Sequence, residues 1–101
     1  MSNPRTVKEA VDRIIETMSE KEKKAISRMP VRDLPFLHST VGRRIRNDFG
    51  LITGNKPLTA SCAAYQNLKS QEMLPDDASQ AIIIAVHARL TEEFKKKETP
   101  K

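Results

Sequence analysis

The run Ala81-Ile82-Ile83-Ile84-Ala85-Val86 constrains this chain more than any other stretch. With Ala78, Leu90 and Phe94 it predicts a helix over 76–94 that is apolar around more than half its circumference. Such a helix has to be covered on most sides, so the other segments must supply amphipathic partners. The chain has 101 residues, no tryptophan and 4% aromatic content. The cover therefore comes from Ile, Leu, Val, Met and Ala, with Phe36, Phe49, Tyr65 and Phe94 as the large pieces. The expectation is an all-α single domain, a compact bundle of about five helices.

The remaining helices can be placed from caps and periodicity. Thr6 with Glu9 forms a capping-box pattern, and Val7, Val11, Ile14, Ile15 and Met18 follow on one face, predicting a helix over 7–18. Ser19 with Glu22 repeats the pattern for a helix over 20–28 that buries Ala25 and Ile26. Pro30 stops it. Asp33 is a suitable N-cap and Pro35 a first-turn proline for a helix over 34–49, whose buried stripe is Leu34, Leu37, Val41, Ile45 and Phe49. Gly50 then acts as a left-handed stop. After the turn Gly54-Asn55, a helix over 57–68 carries Leu58, Cys62, Tyr65 and Leu68 on its inner side, and Lys69 to Glu72 form a connector. Residues 1–5 and 95–101 are expected to be disordered ends.

Net charge is +5, which raises the prospect of an anionic partner. The excess is diffuse: 8 Lys/Arg against 5 Asp/Glu over residues 1–32, 4 against 2 over 33–68, and 6 against 6 over 69–101. Only Arg43, Arg44 and Arg46 form a dense basic cluster. The single cysteine, Cys62, excludes an internal disulfide and a multi-cysteine zinc site. The start of the chain has no apolar signal core, and no run approaches the ~20 apolar residues of a membrane span. A cytoplasmic protein without membrane attachment is expected.

The segments Ile45-Arg46-Asn47, Phe49-Gly50-Leu51, Gly54-Asn55 and Pro75-Asp76-Asp77-Ala78-Ser79 together resemble the pattern of a small bacterial domain family of unknown function. The likeness extends over roughly residues 6–92. The chain departs from that pattern at Arg43 and Arg44, where apolar or aromatic residues are expected. It departs again at Ile52 and His87 in place of tryptophan, and at Leu74 in place of histidine. The resemblance implies a scaffold containing Arg46, Asn47, Gly50, Gly54 and Asn55, and no activity.

Each candidate site has a functional and a structural reading. Arg46 either receives an anion or pairs with Asp76 or Asp77 to lock the third helix to the last. In the second reading, Arg46→Ala leaves a buried carboxylate unpaired and costs several kcal/mol. Asn55 either caps the next helix or joins Gly54 and Lys56 in an anion-binding nest. Arg43, Arg44, Arg46 and Lys56 can follow a nucleic-acid backbone with Asn47 reading bases, although the 50–56 loop is too long for a helix-turn-helix. His38, His87 and Cys62 lie on different segments without metal-ligand spacing. Asp76 and Asp77 are adjacent, so they diverge around a helix and suit its positive end rather than acid–base chemistry.

No catalytic constellation, metal set or cofactor fingerprint is present in the sequence. It points to a non-enzymatic binding or regulatory module that acts through protein–protein contact, with a protein partner or as a homodimer. A nucleic-acid-binding protein using Arg43, Arg44, Arg46 and Lys56 is the alternative.

Overall fold

The computed structural model describes residues 3–67 and 73–98, and side chains up to Lys95. In order these form α1 (Val7–Glu16), α2 (Glu20–Ser27), a 3-10 helix (Val31–Ser39), α3 (Val41–Asp48), α4 (Lys56–Tyr65) and α5 (Pro75–Glu98), with no strand among the described residues. The all-α expectation holds.

The first two starts follow their capping residues. Thr6 accepts from the Glu9 N–H and Ser19 from the Glu22 N–H, so one otherwise orphaned donor at each start is satisfied. α1 then buries Val7, Ala10, Val11 and Ile14. α2 buries only Ile26, and Ala25 is exposed instead of buried.

The single helix expected over 34–49 is two helices. A 3-10 turn occupies 31–39 with Pro35 inside it, and Asp33 makes no N-terminal cap. Thr40, at φ −113° and ψ −87°, breaks the path before α3 begins. The apolar spacing explains the change: Leu34 and Leu37 lie three apart, matching a 3-10 period, whereas Val41, Ile45 and Phe49 lie four apart. The buried stripe survives with Leu37 only half-buried. Gly50 closes α3 at φ +72°, the left-handed conformation expected of it.

α5 is the central element, as its composition requires. It packs against α1, α2, the 3-10 helix, α3 and α4. Ala78, Ala81, Ile82, Ile83, Ala85, Val86 and Leu90 are all buried there. The helix runs to Glu98, so residues 95–98, expected to be disordered, continue it. At the other end Pro4 is fully buried, so the expected disorder does not extend to residues 3–5. Residues 1–2 and 99–101, Leu68 and the 69–72 connector lie outside the described residues. Two of the aromatic residues assigned to the core, Phe36 and Tyr65, are exposed.

Candidate functional site

Two of the motif segments, at Arg46 and at Asp76 to Ser79, converge where α3, the 3-10 helix and the start of α5 meet. Arg46 points from α3 into this junction and is only 13% exposed. Its Nη1 donates to Ser79 Oγ at 3.1 Å, and its Nη2 donates to the His38 carbonyl at 3.2 Å. Nη1 also lies 3.4 Å from His38 Nδ1. A guanidinium has no acceptor, so Arg46 is the donor in any bond between the two, and His38 Nε2 lies 4.0 Å from Asp76 Oδ1. Arg46 Nε is 3.6 Å from the same carboxylate oxygen.

This is a lock between α3 and α5, but its partner differs from the one expected. Asp76 is 66% exposed, and its contact is longer than a hydrogen bond. Ser79, fully buried, receives the direct bond while donating to the Asp76 carbonyl at 3.0 Å. Ser79 stands three residues beyond Asp76 on the inward side of the helix. Sequence reasoning placed it in the motif but gave it no role. Gly42 was also missed. A Cβ there would stand 3.0 Å from Arg46 Nη1 and 3.4 Å from the Leu37 carbonyl, so a larger residue would crowd the folded-back guanidinium.

Asn55 forms a second junction. Its Oδ1 accepts from the Leu58 N–H at 3.4 Å, which is the expected cap of α4. Its Nδ2 donates to the carbonyls of Pro4, at 2.9 Å, and Phe49, at 2.8 Å. One amide thus ties the start of the chain and the end of α3 to the start of α4. The N–H groups of Gly54 and Asn55 are engaged by the carbonyls of Leu51 and Gly50, so the nest lacks those two donors for an anion. Lys56 is exposed.

The basic cluster divides. Arg43 is exposed, as is Asn47. Arg44, offered as a nucleic-acid contact, instead donates to Glu22 Oε2 at 2.9 Å and to Thr17 Oγ1 at 3.1 Å, fastening α3 to the α1–α2 junction. These partners are 22 and 27 residues away, beyond the reach of any local periodicity.

His38, His87 and Cys62 are not brought together. The His87 Nε2 N–H donates to the Met29 carbonyl at 2.8 Å, joining α5 to the end of the α2 segment. The Cys62 thiol is buried against the Ala78 carbonyl, and desolvation pushes its pKa up to about 12. Among the described residues no group of three or more His, Cys, Asp and Glu is arranged to hold a metal ion. No helix among them is long and apolar enough to cross a membrane.

No curated protein and no solved structure matches this chain. A family model described as "Domain of unknown function (DUF6794)" matches residues 3–90, a span that contains the Arg46–Ser79 lock and the Asn55 junction, and the chain belongs to that family.

Proposed function

We propose that this protein is a non-enzymatic cytoplasmic binding module that contacts another protein through the surface beside the Arg46 lock. The observation carrying this reading is the exposure of Phe36, 78%, and Leu74, 69%, in a chain with only four Phe and Tyr residues. Phe36 stands two residues before His38, and Leu74 two residues before Asp76. Both thus lie close in sequence to the lock, one on each of the two segments that it joins. The lock holds the two segments in register and fixes the apolar side chains on a rigid support. An exposed aromatic on a rigid base, bordered by polar groups, is the usual make-up of an interface anchor.

The non-enzymatic part rests on where the candidate nucleophiles lie. Cys62 and Ser79 are both fully buried, and the Cys62 thiol is held protonated. Nδ1 of His38 lies 3.4 Å from the Arg46 guanidinium, a hydrogen-bond donor, and no nucleophile is paired with it. The cytoplasmic part agrees with a lone, unpaired cysteine. The nucleic-acid alternative is weakened because Arg44 and Arg46 are engaged within the fold.

A photo-crosslinking amino acid in place of Phe36, used in extracts of the native host, tests the reading. A discrete protein adduct is expected, and Leu74→Ser should suppress it while the thermal unfolding curve stays unchanged. Steeply salt-dependent nucleic-acid binding that disappears with Arg43→Ala would instead establish the alternative.

A further inference from the structure

We infer, on the protein-contact reading above, that the partner of the Phe36 surface is an acidic peptide segment with an apolar anchor. Cations of α2, the 3-10 helix and α3 that the fold leaves unpaired receive it. By element, the net charge is less even than it is along the sequence. Glu20 to Asp48, which spans these three helices, holds 8 Lys/Arg against 4 Asp/Glu, so +4 of the chain's +5 net charge falls here.

What those cations already meet decides how many can serve a partner. Arg44 is held by Glu22 Oε2 at 2.9 Å, Lys23 by Glu20 Oε2 at 2.9 Å, and Arg46 is turned inward to Ser79. Among the described residues no ion pair reaches Lys21, Lys24, Arg32 or Arg43, and all four are exposed. The other acids of these elements are Asp33, half-exposed, and Asp48, at the far end of α3. Positive charge is therefore in surplus on this surface.

The three helices are joined into one wall. Arg44 bonds α3 to α2, Arg46 bonds α3 to the 3-10 helix, and each of the three packs on α5. Lys21 and Arg43 are the chain neighbours of the Glu22–Arg44 pair, which brings two unpaired cations to one junction. On the 3-10 helix Leu34 and Leu37 take the inward row at three residues per turn. Arg32 and Pro35 then share one outer row, and Asp33, Phe36 and Ser39 the other. Val31, 66% exposed, and Phe36 supply the apolar part. The nine residues of this helix give an outer face of ~18 Å, the length of about five or six extended peptide residues.

Asp33 separates one anionic partner from another. It stands one turn before Phe36 on the same row, so a ligand covering Phe36 also passes a carboxylate. A phosphate backbone or an anionic bilayer presents negative charge there as everywhere else. A peptide can place a neutral residue over Asp33 and its own carboxylates over Arg32 and Arg43.

Selection from a library of short random peptides against the full chain tests the partner's chemistry. Enriched peptides are expected to carry a net negative charge and an aromatic or branched apolar residue. They should bind the Arg32→Glu/Arg43→Glu protein roughly tenfold more weakly or worse. Both cations are exposed and unpaired, so the circular dichroism spectrum and thermal midpoint of that variant should match the parent's. Phe36→Ser should weaken the same peptides. Peptides that need Phe36 but are neutral or basic, or are indifferent to the double charge reversal, would overturn the acidic partner and leave the protein contact standing. No enrichment, or enrichment indifferent to Phe36, would overturn both. Tighter binding of phosphatidylserine vesicles or of a DNA duplex than of the selected peptides, lost in the same double variant, would overturn the peptide in favour of that anion.

Discussion

Replacing Arg46 with alanine is the most informative perturbation of the fold, because the structure revises the magnitude that the sequence suggests. If the guanidinium neutralised a buried carboxylate, removing it would cost ~3–5 kcal/mol. Asp76 is 66% exposed, so water takes over its solvation, and the ion pair contributes ~0.5 kcal/mol or less. The larger loss is the charge-assisted bond to buried Ser79, for which ~1.5–3 kcal/mol is usual. Ser79 keeps its own bond to the Asp76 carbonyl, so no orphaned hydroxyl adds to that figure. The half-exposed His38 carbonyl can turn to solvent. The net expectation is about 2–3 kcal/mol. For a domain of this size that lowers the midpoint by roughly 10–20 °C in a thermal melt followed by far-UV circular dichroism. Double-mutant cycles then identify the partner that matters: coupling of ~1 kcal/mol or more with Ser79→Ala, and ~0.5 kcal/mol or less with Asp76→Asn. A shift of less than ~2 °C, or stronger coupling to Asp76 than to Ser79, would refute the argument.

Three further outcomes are expected. Asn55→Ala loses a helix cap and strands two carbonyl partners. It should cost about 2–4 kcal/mol by chemical denaturation, and Asn55→Asp, which keeps the cap oxygen but not the amide donor, should recover only part of this. Asp12 has its pKa held below 3.8, first by the Arg89 hydrogen bond and then by Lys8. Its stabilising contribution is therefore present above that value and lost as pH falls through the lower folded pKa, so Arg89→Gln should shrink the drop in stability on acidification, followed by melts across an acid pH series. Cys62, buried with its thiol pushed up to about 12, should resist a thiol reagent at neutral pH in the native protein and react at once in denaturant.

Most of the architecture was legible because it depends on local periodicity and caps. The apolar run at 81–86 announced the central helix, and Thr6, Ser19, Gly50 and Asn55 behave as their chemistry dictates. The 3-10 segment was mistaken for α-helix because Pro35 is acceptable in either. The difference lay in the step from three-residue to four-residue spacing after Leu37. Phe36 was assigned to the core on hydrophobicity alone, but Leu34 and Leu37 occupy the inward corner of that narrow helix and leave Phe36 outside. Within the candidate site, the inward direction of Arg46 was readable from its place beside Ile45. Its choice of Ser79 over Asp76 was not, because that depends on how α3 and α5 are offset in space. The engagement of Arg44 by Glu22 and Thr17 was hidden for the same reason.

The Asn55 junction has a consequence for the order in which the chain can assemble. The carbonyl of Pro4 waits for a donor 51 residues later, and the Val7 N–H is received by Ser61, 54 residues later. α1 rests on α4 and α5, so the surface it buries against does not exist while only the first half of the chain has been made. Of the helices described here, α1 is made before α4 and α5 and finds its seat only after them. Such distant closures slow folding in an otherwise locally connected helical protein. Until α5 is made, Val7, Val11 and Ile14 lack the helix that covers them in the folded domain.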